Sequence, residues 1–202
     1  MQTIRTLLRR RVLTSLAALA LSAGLAGCGD STGPSFTGSD ITGTHMGQGW
    51  TLTGTNGKPY TLQSFAGKVT LFFFGYTQCP DVCPTTLAEL AQVVHLLGDQ
   101  ASRVQIVMIT VDPERDTPEV LGAYVSSFDP SFLGLTGTPE QVKLAAGAFK
   151  AYYAKVAQAN GGYSMDHSAS FYLFDTQGEA RVLLNNSASA AVVAHDIEAL
   201  LH

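Results

Sequence analysis

Residues 69–84 read VTLFFFGYTQCPDVCP, and the order of chemistry in this stretch decides the fold. Val69 to Phe74 is an unbroken apolar run of strand length, the pattern of a central strand buried on both faces. A short polar turn follows, carrying Cys79 and Cys83. Beyond it Leu87, Leu90, Ala91, Val94 and Leu97 recur at helical spacing until Gly98 stops the helix. Strand, reactive turn and helix make the first half of an α/β unit, and reactive groups collect at the carboxyl ends of such strands.

Working outward, Val104 to Val111 (VQIVMITV) reads as a second buried strand. Thr117-Pro118 opens another helix, with proline at the first position where its missing N–H does no harm. Thr138-Pro139-Glu140-Gln141 repeats that device as a capping box leading a helix to about Ala148. Tyr152 to Gln158 and Ser170 to Asp175 read as strands around a polar tip, Ala159 to Ser164, and Val182 to Leu184 returns across the Gln177-Gly178 turn. Residues 189–201 form a closing helix. Upstream, Trp50–Thr53 and Tyr60–Leu62 flank Asn56-Gly57, the signature of an N-terminal β-hairpin. The fold class is α/β, a sandwich with a central mixed sheet flanked by helices.

The chain has 202 residues, 46% apolar and 14% charged, enough for one large core and not for two domains. Arg5, Arg9, Arg10 and Arg11 precede an uncharged Ala/Leu-rich run, 12–27, so residues 1–27 read as an export signal. Sixteen weakly apolar residues make a poor spanning helix. The run ends Leu25-Ala26-Gly27-Cys28, which resembles a bacterial lipobox and marks Cys28 for lipidation. Residues 28–45, rich in Gly, Ser, Thr and Asp, read as a flexible tether from that lipid, and 46–202 as the single domain. Removing the leader leaves eight basic against sixteen acidic side chains with no basic run, which excludes nucleic acid as a partner.

Of three cysteines, one is assigned to lipid, which leaves Cys79 and Cys83 in an oxidising compartment. A disulfide closing so short a ring adds little stability, so the pair reads as reactive or metal-binding. Pro84 suits a first helical position, with Cys83 at the cap and Cys79 just ahead, where the helix N-terminus favours thiolate. Thiolate serves disulfide exchange and metal binding alike, so position leaves both open. Redox pairs of thioredoxin-like proteins have two intervening residues; here there are three. Two soft thiolates suit Cu(I) at low coordination number, whereas zinc wants four ligands.

The histidines are His45, His95, His167, His195 and His202. His45 falls in the tether and His202 at the terminus, while His95 and His195 sit mid-helix. His167, just before the strand 170–175, is the candidate third ligand. All eight prolines precede residue 140, so the last strands lack the proline that thioredoxin-like reductases set against their cysteines. That absence argues against a general disulfide reductase.

Three motifs together, Cys79-Pro80-Asp81-Val82-Cys83-Pro84, Thr110-Val111-Asp112-Pro113-Glu114-Arg115-Asp116-Thr117 and Asp166-His167-Ser168, resemble the Sco/SenC family of copper-binding assembly factors for cytochrome c oxidase. The resemblance covers 46–202 in order. It implies a thioredoxin-like fold with an added N-terminal hairpin, and copper ligands at Cys79, Cys83 and His167. It also implies copper delivery to the copper-accepting subunit of cytochrome c oxidase, with other periplasmic copper carriers as further partners. A lipid anchor would hold the domain on the extracytoplasmic side of a bacterial envelope. The alternative is a thiol–disulfide oxidoreductase acting on the acceptor's cysteines, with Cys79 and Cys83 as its redox pair. The neighbouring acids read as structural: Asp112-Pro113 ends a strand in a turn, and Asp116 or Thr117 caps a helix. Tyr76 reads as core.

Overall fold

The computed structural model describes residues 35–159 and 161–202. The expected signal and the lipidation residue, Cys28, lie outside the described residues. Among the described residues ten strands alternate with four α-helices. In chain order they are β1 (Ser39–Asp40), β2 (Leu52–Gly54), β3 (Pro59–Tyr60), β4 (Val69–Gly75), α1 (Val82–Leu97), β5 (Val104–Thr110) and α2 (Pro118–Ser126). There follow β6 (Leu133–Thr136), α3 (Pro139–Ala148), β7 (Tyr153–Ala157), β8 (Tyr163–His167), β9 (Ser170–Phe174), β10 (Ala180–Asn185) and α4 (Ala190–Leu201).

Eight strands form one mixed sheet in the order β1-β10-β9-β4-β5-β6-β2-β3. β4, β5 and β6 are parallel, and the flanking strands join antiparallel. All seven residues of β4 are buried, as its apolar run requires. Alternation divides them between two layers. Leu71 and Phe73 face the side covered by Leu87, Leu90 and Val93 of α1, Leu121 of α2 and Ile197 of α4. Phe72 and Phe74 face the other side, where Phe149 meets the rings of Trp50, Phe72, Phe74, Tyr172 and Phe174.

Both helix starts read from proline are present. Thr117 Oγ1 accepts from Val120 N at 3.3 Å, and Thr138 with Gln141 completes a capping box. The expected hairpin forms around Asn56-Gly57, and Gly57 takes the positive φ that the turn demands.

Four features differ from the sequence reading. Residues 37–40 are not tether: the N–H groups of Thr37 and Gly38 donate to the buried Asp196 carboxylate at 2.8 Å each, and β1 pairs with β10. Strand β6 goes unread because Leu133-Gly134-Leu135-Thr136 is short and holds a glycine. That glycine is there for α2, since a Cβ on Gly134 would lie 2.5 Å from Leu121 Cγ. The strand beginning at Tyr153 pairs with β8, inside and beyond the supposed polar tip, while 170–174 joins the main sheet. Finally, α1 begins at Val82 with Asp81 as its cap, so Cys83 lies in the first turn rather than at the cap.

Candidate metal centre

The cysteine loop leaves β4 at Gly75, at the carboxyl end of the parallel strands. A Cβ on Gly75 would stand 3.0 Å from Cys83 Sγ, so glycine is what lets that sulfur rest against the sheet. Cys83 is 2% exposed, whereas Cys79 is half-buried. Both are free thiols. The Cys79 N–H donates to the Tyr76 carbonyl at 3.3 Å, which folds the loop back toward the helix.

The two thiols have opposite character. Burial pushes the Cys79 thiol up, but the N–H groups of Cys83, Asp81 and Val82 and the Cys83 thiol more than offset it, and the net shift is downward. These are free N–H groups at the start of α1, the ready-made anion site of a helix N-terminus. Burial pushes Cys83 up to about 12, helped by the adjacent Cys79 and opposed by the Tyr76 backbone.

His167 closes the site from the other side. It ends β8, and its Nε2 lies 3.9 Å from Cys83 Sγ although 84 residues separate them. Its Nδ1 is 3.1 Å from the Ser168 carbonyl. A carbonyl only accepts, so Nδ1 carries the hydrogen and Nε2 offers its lone pair toward the sulfur. The Tyr76 ring meets the imidazole edge-on, with centroids 6.0 Å apart. Asp166 points the opposite way, exposed, as alternation along a strand requires. Of the other histidines, His195 pairs with Asp196 at 3.0 Å and His45 stands exposed before β2. Among the described residues no group of three or more His, Cys, Asp or Glu side chains is arranged to hold a metal ion. Cys83 is the meeting point: its sulfur touches the Cys79 thiol on one side and faces His167 Nε2 on the other. A cleft of about 590 Å³ beside them is lined by Tyr76, Pro80, Arg115, Tyr163 and Met165.

The second motif does more than turn and cap. Thr117 is the cap. Asp116 is fully buried, and its carboxylate accepts from Thr77 N at 3.1 Å, Thr77 Oγ1 at 2.6 Å and Thr110 Oγ1 at 2.6 Å. It ties the cysteine loop to the end of β5. Asp112, 1% exposed, accepts from Arg115 Nε and from the Tyr163 hydroxyl, the latter at 2.9 Å. Two acids four positions apart directly after a buried strand were the available signal for these roles, and each acid by itself also fits a turn or a cap.

The SCO1/SenC family profile matches residues 38–202. The mitochondrial protein SCO2 of Saccharomyces cerevisiae is 40% identical over 137 residues, 66% of this chain and 46% of its own length. The chain therefore spans about half of that curated relative. The copper-bound structure of Bradyrhizobium japonicum ScoI superposes with a TM-score of 0.71 at 42% identity, covering 77% of this chain and 99% of that one. The structure of BsSco, described as a member of the Sco family of cytochrome c oxidase assembly proteins with a disulfide switch, superposes with a TM-score of 0.64 at 25% identity. It covers 82% of this chain and 98% of its own. This chain thus shares a thioredoxin-like architecture, a central mixed sheet flanked by helices, with its structural neighbours. Among the described residues no helix is long and apolar enough to cross a membrane.

Proposed function

The chain belongs to the SCO1/SenC family, and on that premise we propose that it carries copper for the assembly of cytochrome c oxidase. Cys79, Cys83 and His167 hold one copper ion, the cargo. The observation that carries this reading is the approach of His167 Nε2 to Cys83 Sγ at 3.9 Å beside the second thiol. Two sulfurs and one imidazole nitrogen are soft to borderline donors that suit Cu(I). Loading costs Cys83 its proton, so copper uptake releases protons and tightens as pH rises. Three donors leave the ion undercoordinated on its open side. A cysteine of the copper-accepting oxidase subunit can therefore bind before an original ligand leaves, whereas a closed four-ligand cage would obstruct that exchange. Copper from other periplasmic carriers can enter by the same side. The lipobox ending in Cys28 supports anchoring by lipid, with the domain on the extracytoplasmic face of the envelope.

Copper titration of the reduced protein tests the ligand set. One ion per chain is expected. Replacing either cysteine by serine should abolish tight binding, and His167→Ala should weaken it at least tenfold. Unchanged affinity in His167→Ala sinks the assignment.

A second reading has its own support in the inequality of the thiols. A half-buried thiol with lowered pKa beside a buried one with raised pKa is the pattern of an attacking and a resolving cysteine. Cys79 thiolate would attack an acceptor disulfide and release one acceptor thiolate. Cys83 would then lose its proton and attack the mixed disulfide, leaving the acceptor as a dithiol and Cys79–Cys83 oxidised. Catalysis of disulfide exchange that needs both cysteines and tolerates His167→Ala would favour this reading.

A further inference from the structure

The hairpin that brings His167 to the cysteines lies outside the main sheet. β7 and β8 pair with each other alone, and their base is closed within the hairpin. There Ser168 N donates to Tyr152 O at 2.9 Å and Tyr152 N to Ser168 Oγ at 2.8 Å. Met165 sinks one buried side chain into the aromatic layer. Tyr153 and Tyr163 pack at the edge of that layer and His167 against Tyr76, and the polar attachments come from the loop between β5 and α2. Tyr163, the first residue of β8, is gripped three ways. Its carbonyl accepts from Arg115 Nη1 at 3.2 Å, its hydroxyl donates to Asp112 Oδ1 at 2.9 Å, and its ring lies 3.9 Å from the Arg115 guanidinium. Asp112 braces Arg115 through Nε. On β7, Lys155 sits 4.2 Å over the same ring and donates to Glu114 at 2.8 and 2.9 Å. One residue beyond Arg115, Asp116 holds Thr77 of the cysteine loop. A single short loop therefore grips both segments that carry the proposed copper donors.

This grip is poorly explained as plain stabilisation. Asp112 is a nearly inaccessible carboxylate, and Arg115 Nη2 is buried without a hydrogen-bond partner. Buried charge with an orphan donor is costly, and the hairpin returns one fully buried side chain, Met165, and two partly buried tyrosines for it. What the grip does secure is geometry: the far end of β8 comes to rest against Cys83. A two-stranded ladder closed on itself can also move as a body without breaking a bond of the main sheet.

We propose that Asp112, Arg115 and Tyr163 are positioning residues that form a latch. Closed, it holds the β7–β8 hairpin so that His167 completes the copper site; released, it withdraws the imidazole at handover. This rests on the ligand reading of the preceding subsection. Opening breaks the two hydrogen bonds to Tyr163, its contact with the guanidinium and the exposed Lys155–Glu114 pair, leaving copper on two sulfurs and open to the acceptor.

The test uses Tyr163→Phe, which removes the hydroxyl bond and keeps the ring, and Arg115→Lys, which keeps charge and loses the fork. Lys143→Gln, at an exposed position of α3 outside the hairpin and its loop, is the control. Two quantities are measured: amide hydrogen exchange across the metal-free protein, and the rate of Cu(I) release to a chromogenic chelator from the loaded protein. In both latch variants the amides of β7 and β8 should exchange about tenfold faster while those of β4 and β5 hold. Copper should leave about tenfold faster, and in a His167→Ala background the same substitutions should add no further acceleration. Unchanged hairpin exchange overturns the latch. So does acceleration spread equally over β4 and β5, or faster release that persists without His167. A His167→Ala protein that releases copper at the wild-type rate overturns the ligand reading, and the latch's part in it, separately from the exchange result.

Discussion

Thr77 presents both its backbone N–H and its hydroxyl to the carboxylate of Asp116, at 3.1 and 2.6 Å, across 39 residues of sequence. Thr110 Oγ1 adds a third donor at 2.6 Å. Asp116→Ala removes the acceptor and leaves buried donors unpaired, so the reduced protein should lose about 2–4 kcal/mol in urea unfolding. Asp116→Asn keeps one acceptor oxygen and should lose less. An unshifted midpoint in Asp116→Ala would contradict this account of the loop.

Thiol labelling reads the inequality of the cysteines. Cys79 is half-buried and its pKa lies below the ordinary thiol value, while Cys83 is buried and raised to about 12. Limiting iodoacetamide at neutral pH should therefore alkylate Cys79 well before Cys83. Peptide mapping by mass spectrometry decides it; equal labelling at the two positions would be the failing result.

Stability at alkaline pH follows from the same pair. The thiol reference value is 9.0, and the folded Cys83 holds its proton to about 12. Between these values the unfolded chain binds fewer protons than the folded one, so stability falls as pH rises, by up to about 1.4 kcal/mol per pH unit. Cys79 runs the other way. Its lowered pKa adds stability that is present above the unfolded value and lost as pH falls through the folded one. In metal-free reduced protein, Cys83→Ala should flatten the decline between pH 9 and 11. An equally steep decline in that variant would place its cause elsewhere.

Asp196 on α4 fastens the N-terminal segment by accepting from Thr37 and Gly38. Asp196→Ala should release residues 35–40 from the sheet edge at a cost of about 1–3 kcal/mol. Limited proteolysis should then cut before residue 45 in the variant and spare the wild type. Copper stoichiometry should not change, because the clasp lies on helix α4 and the copper donors on the cysteine loop, α1 and β8.

What could be read in the sequence was what the chain writes locally. The VTLFFF run, the Thr117 and Thr138 helix starts, the Asn56-Gly57 turn and the Gly98 stop are each set by a few neighbouring residues, and each forms as read. The strands that escaped are those whose partners are distant or whose composition is polar. β8 reads Tyr-Ser-Met-Asp-His with only Met165 buried, and β1 is two exposed residues whose place depends on Asp196 far down the chain. His167 stands out by its place just before the strand 170–175, and the family resemblance points to the same residue, but its approach to Cys83 joins positions 84 apart that no local pattern links. Local sequence offers Asp116 as a helix cap, because a cap needs only near neighbours, whereas its partners are Thr77 in the cysteine loop and Thr110 at the end of β5. Arg115 stands inside the second motif without a role of its own, and Tyr163 lies in the stretch read as a polar tip.

Both rims of the eight-stranded sheet are finished with strands of two residues, β1 on one side and β3 on the other. An unfinished rim is a row of free amides and carbonyls that a neighbouring molecule can zip onto. Here such a row is only two residues long, and on one side Pro59 supplies no amide at all. Molecules crowded side by side can collide often without aggregating edge to edge, which leaves the face bearing the cysteine loop free for partners of another kind.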